Sequence, residues 1–211
     1  LGSGQKARAQ DSPEPGPRAP RPEPRLTIGL RDSAGFPAPP LVRSEYLLDN
    51  AVFEVALNNG FPVRFSYRLE LWRNRRIIDD LERDVAWDAV VRLDPLTNTY
   101  ELLRTGGSEE HFTTLPAVSR ALATPFTVDL LPPRPSGGRS RYYYVATLVI
   151  ESLSLSELEE VERWLRGDFG PAIRERGDVG DALGRGARRL LIRFSGLPRK
   201  RLEVRSEEFR Y

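Results

Sequence analysis

The chain has no cysteine, no methionine and one histidine. The first absence removes disulfides, zinc-thiolate sites and thiol nucleophiles. The lone imidazole, His111, removes most zinc-hydrolase and histidine-paired nucleophile schemes, which need further ligands or a base. No run approaches the roughly 18 apolar residues that cross a bilayer as a helix, so no transmembrane span is expected in the mature chain. Lysine is nearly missing as well: Lys6 and Lys200 are the only lysines among 32 basic residues. That arginine bias is what a GC-rich genome produces whatever the protein does.

What is present is unevenly placed. Residues 1–162 hold 19 basic and 23 acidic side chains, whereas 163–211 hold 13 and 7, so a net charge of +2 hides a basic C-terminal quarter. At 211 residues and 39% hydrophobic, one domain with a tail is expected. The stretch "ARAQDSPEP" places Ala7 and Ala9 in the A-x-A form of a signal-peptidase site. Residues 1–9 are read as a leader remnant cut between Ala9 and Gln10. Residues 10–24 follow as a proline-rich, disordered linker, with prolines at 13, 15, 17, 20, 22 and 24 and no apolar anchor.

From "RLTIGLRD" the pattern changes to that of a folded domain, read as 25–170. Leu26, Ile28 and Leu30 alternate as in a half-buried strand. A helix is predicted over Asp49–Asn59, with Asp49 as N-cap and Gly60 as its stop. In "FPVRFSYRLELWRN" every odd position from 61 to 71 is apolar, the mark of a long antiparallel strand. A second strand or pair of strands is predicted from Ile77 to Leu93. "DPLTN" should form a hairpin tip leading into "TYELLR", and "TGGSEEH" should be a loop. Thr113 or Thr114 should cap a helix in "TTLPAVSRALA", and "FTVDLL" should be a short strand. "RYYYVATLVIES" reads as a central strand covered on both sides. "SLSELEEVERWLRGD" carries a capping box at Ser154 and Glu157 before an apolar stripe. Residues 171–211 should add a basic helix over about Asp178–Phe194 and an edge strand in "RLEVRSEEF". Neighbouring hairpins with inserted helices predict an α+β fold: an antiparallel sheet or β-sandwich with three to four short helices.

Few residues suggest chemistry. His111 stands beside Glu109 and Glu110, but neighbours in an unconstrained loop do not converge on one ion, and no metal is expected. Asp79, Asp80, Glu82 and Asp84 read as a solvated strand face; a calcium loop would need a glycine that is missing. Tyr142, Tyr143 and Tyr144 behind Arg139 and Arg141 are a candidate stacking platform, for which Tyr142 and Tyr144 with the two arginines are the nominated binding residues. Arg185, Arg188, Arg189 and Arg193 would form a stripe on the last helix, a candidate contact for an anionic surface. For an exported protein, anionic lipid or an acidic partner is the more sensible target than nucleic acid. "GSG" and "GDVGDALGRG" lack the lysine and strand of a phosphate loop. No cofactor and no catalytic set is expected.

Four phrases occur in order: "ALNNGFPVRFSYRLELWR", "RLDPLTNTYELLR", "HFTTLPAVSRAL" and "LSLSELEEVERWLRGDF". Together they resemble the domain of unknown function 4390 family of exported bacterial proteins, over about residues 25–170. The chain departs from that pattern at "LWRNRRIIDD", where Trp72 stands in place of a Trp-rich stretch. The resemblance implies a periplasmic or otherwise extracytoplasmic location after leader removal. It also implies, in some relatives, genes near a membrane histidine kinase of the nitrogen-regulation type, which makes such a sensor kinase an expected envelope partner. The resulting expectation is a non-catalytic binding or accessory module. The alternative is a hydrolase or transferase acting on glycans through a carboxylate pair that the sequence does not assign.

Overall fold

The alternation in "FPVRFSYRLELWRN" becomes the centre of the molecule. The computed structural model describes residues 21–33, 36–133, 140–165 and 198–211. In chain order the elements are β1 (Arg25–Ser33), β2 (Phe36–Glu45), α1 (Ala51–Asn58), β3 (Val63–Asn74), β4 (Asp80–Asp94), β5 (Thr99–Arg104) and β6 (Ser108–Phe112). They continue with α2 (Leu115–Leu122), β7 (Phe126–Thr127), β8 (Arg141–Ser152), α3 (Leu155–Leu165), β9 (Arg199–Arg205) and β10 (Phe209–Arg210). The large sheet is antiparallel in the order β8-β3-β4-β5-β6, with β9 and β10 following one another along the outer edge of β8. The small sheet runs β1-β2-β7. Among the described residues, two antiparallel sheets with three short helices make the α+β sandwich that the sequence pattern predicts.

The core lies on the inner face of the large sheet. Val63, Phe65, Leu69 and Leu71 of β3 are fully buried there, and Tyr67 nearly so. They join Ala89 and Val91 of β4, Tyr142, Tyr144, Leu148 and Ile150 of β8, Val42 of β2, and Phe53 and Leu57 of α1 in one cluster. A period of two is what lets one strand commit its odd positions to this cluster and its even ones to the other side. Buried hydroxyls bond across the core. Ser44 Oγ lies 3.0 Å from Tyr67 Oη, and burial pushes the Tyr67 hydroxyl up to about 12. Helix α3 sits on the opposite, outer face, where Leu158, Val161 and Leu165 meet Val90, Leu103 and Leu153. The backbone amide of Ser154 donates to the Glu157 carboxylate, half of the predicted capping box.

Several local expectations are corrected. The cap of α1 is Asn50, whose Oδ1 accepts from the Val52 amide, and not Asp49; Gly60 does take the left-handed conformation, at φ 81°. The strand after the "RNRR" turn begins at Asp80, so Ile77 and Ile78 stay on the hairpin tip. "SEEHF" is the edge strand β6 and not part of a loop, because its amides find partners on β5. β2, with Pro37, Pro39 and Pro40, was not foreseen; it pairs with β1 along its length and with β7 only at Leu41 and Val42. The strand at "FTVDLL" is limited to Phe126–Thr127, and the C-terminal edge divides into β9 and β10. The leader remnant 1–9, most of the linker and the helix expected over Asp178–Phe194 lie outside the described residues. From the linker, Arg21 reaches Glu54 at 2.7 Å and Pro24 is buried.

Candidate functional site

The outer face of the large sheet, between α3 and the β9 edge, forms a groove of about 470 Å³. Its floor is built by the even positions of β3 and their cross-strand partners. Arg64, Ser66, Arg68, Glu70 and Trp72 of β3 line it with Ala86 and Asp88 of β4. From β8 come Tyr143, Val145, Thr147, Val149 and Glu151, and from β9 Arg201, Glu203 and Arg205. Registers explain the grouping: Trp72 stands opposite Tyr143, and Tyr143's neighbour Val145 opposite Arg205.

One end of the groove is ionic. The Arg64 guanidinium, 5% exposed, grips Asp88 through Nε at 3.3 Å and Nη2 at 2.8 Å, and lies 3.7 Å from Glu151 through Nη1. Fork-on-carboxylate geometry of this kind is strong and directional. Burial outweighs Arg64 and Arg199 at Glu151, and holds its carboxyl above the ordinary value of 4.5. Along the groove the remaining carboxylates are paired too. Glu70 meets Arg68 at 2.9 Å, and Glu203 meets Arg201 at 2.6 Å.

The other end is aromatic. Trp72 and Tyr143 stack with centroids 6.4 Å apart and planes 5° from parallel. The Arg205 guanidinium lies 3.6 Å from the Tyr143 ring centroid, a close cation–π contact. Tyr143 donates its hydroxyl to Asp79 Oδ2 at 2.8 Å. Burial first, then that bond to a carboxylate, raises the Tyr143 hydroxyl above its ordinary range. Such an end can hold a flat or aliphatic side chain, while the ionic end can receive backbone or charged groups.

The nominated residues fall in different places. Tyr142 and Tyr144 are each 1% exposed on the inner face, where both rings pack against Phe209 and Tyr144 donates to the Leu130 carbonyl. The ring on the groove side is Tyr143. Arg141 is exposed and reaches Glu208 at 4.0 Å. Arg139, Arg185, Arg188, Arg189 and Arg193 lie outside the described residues. The acidic run is held by arginines: Asp80 by Arg75, Glu82 by Arg73, Asp84 by Arg68.

His111 has partners that adjacency in sequence did not show. Its cross-strand neighbour is Glu101, and Glu101, Glu109 and His111 bring one ligand atom each within 4.8 Å of one another. Glu110 points to the other face and pairs with Arg104. A cation here would compete with Arg92, which already donates to Glu101. Trp72, Tyr143 and Arg205 were missed as a set. The signal that unites them is register, since each stands on an outer-facing position of a strand whose partner is known only once the sheet is built.

Comparison with known proteins adds one match. No curated protein and no solved structure is detectably similar to the chain. A family model described as a domain of unknown function, DUF4390, matches residues 47–158, which run from the loop before α1 through β8 into the first turn of α3. That stretch supplies both walls of the Trp72–Tyr143 stack and the whole Arg64–Asp88–Glu151 cluster, and on it the chain belongs to the DUF4390 family.

Proposed function

We propose that the protein is a non-catalytic module of the bacterial envelope, exported and freed of its leader after Ala9, that binds an extended segment of another envelope protein in the outer-face groove. The observation that carries this reading is the pairing of the groove's carboxylates. Glu70, Asp88, Glu151 and Glu203 each face an arginine, so the groove offers a neutral, hydrogen-bonding channel with an aromatic anchor at one end. Recognition of that kind suits a peptide whose one large side chain seats beside Trp72 and Tyr143. The family resemblance supplies the partner's class, the outer domain of a membrane sensor kinase.

The test is photo-crosslinking in cells from Thr147, in the groove, with Leu96 on a distant hairpin as control. A discrete adduct with an envelope protein from Thr147 alone, lost in Trp72→Ala, is the expected result. Fractionation with N-terminal sequencing should find a chain starting at Gln10 outside the cytoplasm. A cytoplasmic, uncut chain or equal adducts from both positions would overturn the reading.

One observation favours a second reading, a glycan-acting hydrolase or transferase. Asp88 and Glu151 share Arg64, and Glu151 is the carboxyl held high by burial, as a general acid needs. Turnover of a glycan that disappears in Glu151→Gln, in a variant that stays folded at the assay temperature, would decide for it.

A further inference from the structure

The hairpin joining β3 to β4 ends in two isoleucines that no part of the described fold covers. Ile77 is 91% and Ile78 74% exposed, and Leu81 behind them is 41% exposed. Single exposed apolar residues are ordinary; adjacent ones at a protruding tip are not. Leu96, on the β4–β5 hairpin, is the ordinary case, a lone leucine in a polar turn.

The tip is braced. Asp79 accepts from the Arg75 amide at 3.0 Å through Oδ1 and from the Tyr143 hydroxyl through Oδ2, while Arg75 Nε meets Asp80 at 2.5 Å. Both acidic groups next to the isoleucines are thereby engaged. Arg76, immediately before Ile77, is exposed and makes no ion pair among the described residues. Behind the tip Trp72 stands opposite Leu81 on one side and Tyr143 on the other, an apolar row across three strands. Apolar residues outermost, the free Arg76 guanidinium beside them and aromatic rings one step back is the order of layers that a bilayer surface presents in reverse: acyl chains, phosphates, headgroups.

We infer that the β3–β4 tip docks on a membrane surface containing anionic lipid, with Ile77 and Ile78 entering the acyl boundary and Arg76 at the phosphates. Two isoleucines and a leucine on a convex tip fall far short of the roughly 800 Å² per partner that a specific protein interface needs, whereas a bilayer demands no complementary shape. The inference does not rest on what the groove binds. It also uses none of the C-terminal arginines.

The test uses the full chain with vesicles of phosphatidylcholine alone and mixed with phosphatidylglycerol. Partition onto the mixed vesicles is expected, lowered by roughly tenfold in Ile77→Ser/Ile78→Ser and by about fivefold in Arg76→Gln. Thermal midpoints should stay unchanged, since these side chains are exposed. The absence of cysteine permits a clean second readout. An environment-sensitive dye on Ile77→Cys should shift to the blue on mixed vesicles, and the same dye on Leu96→Cys should not. Failure of the unaltered chain to partition would overturn the inference. So would equal partition by the serine variant, or binding lost only when Arg185, Arg188, Arg189 and Arg193 are all changed.

Discussion

Strand β3 shows two surfaces made from one backbone, one fully buried and the other only half-buried, and they are held by different means. Inward, Val63, Phe65, Leu69 and Leu71 vanish into an apolar cluster. Outward, Arg64 is 4% exposed, yet it is buried among charges, with α3 alongside and β4 and β8 supplying Asp88 and Glu151. An alternating strand is usually taken to have a wet face. Here the even face is wet only in part, and its polar residues are organised by pairing. The inner face is held by packing that tolerates no gap, the ionic end of the outer face by carboxylates that do not tolerate losing their shared cation.

The largest expected effect tests the outer face. Arg64→Ala should cost about 3–5 kcal/mol, because it strands Asp88 and Glu151 in a buried setting without their shared cation. Replacing all three by apolar residues of similar volume, as Arg64→Met/Asp88→Leu/Glu151→Leu, should recover most of that loss. Urea melts measure both. If Arg64→Ala costs no more than a surface residue, the two faces do differ in the simple way, and the outer one is solvated. Leu69→Ala probes the inner face and should cost about 2–5 kcal/mol, set by how far the cavity collapses. No second substitution on the outer face should rescue it, since the two layers lie on opposite sides of the sheet.

This contrast also explains what could be read from the sequence. The inner face of β3 was legible because period-two alternation over 63–71 has one physical meaning, while Phe61, the first apolar position of the pattern, lies before the strand and is exposed. The helices were legible from their caps, although Asn50 displaced Asp49 by one residue because its Oδ1 reaches the Val52 amide. β2 was opaque. Its three prolines argue against a strand, and only a position with β1 on one side and a two-residue β7 on the other makes them tolerable. Ile77 and Ile78 misled for the converse reason: β-branched residues suggest a strand, but the turn ends only at Asp80. Within "YYY" the alternation of faces was plain, while which face turned inward depended on the partner strands. The groove needs four strands in register, so local sequence contains its residues without their assembly. Glu101 with His111 is the same case, a pair ten residues apart that only the β5–β6 register joins.

The smallest effects separate two carboxyls on the outer face whose environments push them in opposite directions. Glu151, under burial, has a folded-state value above its ordinary 4.5. A carboxyl raised on folding favours the folded state while protonated, and that advantage is lost as pH rises through the folded value. Glu151→Gln should therefore gain stability relative to the unaltered protein as pH climbs from about 4 towards neutrality, and show no such gain in more acid solution. Asp79 has the opposite sign. The Tyr143 hydroxyl first, and then the Arg75 amide, hold it below 3.8. Its contribution is present above that ordinary value and lost as pH falls through the lowered one. Tyr143→Phe removes the first cause, so the Asp79 carboxyl followed by NMR should titrate closer to 3.8, and the variant's deficit against the unaltered protein should close in acid. Thermal melts of the two variants across pH should thus diverge from the unaltered curve at opposite signs near neutrality and converge on it below the carboxylate range. Melts that moved together would mean that one net charge governs the outer face, and not two local environments fixed by register.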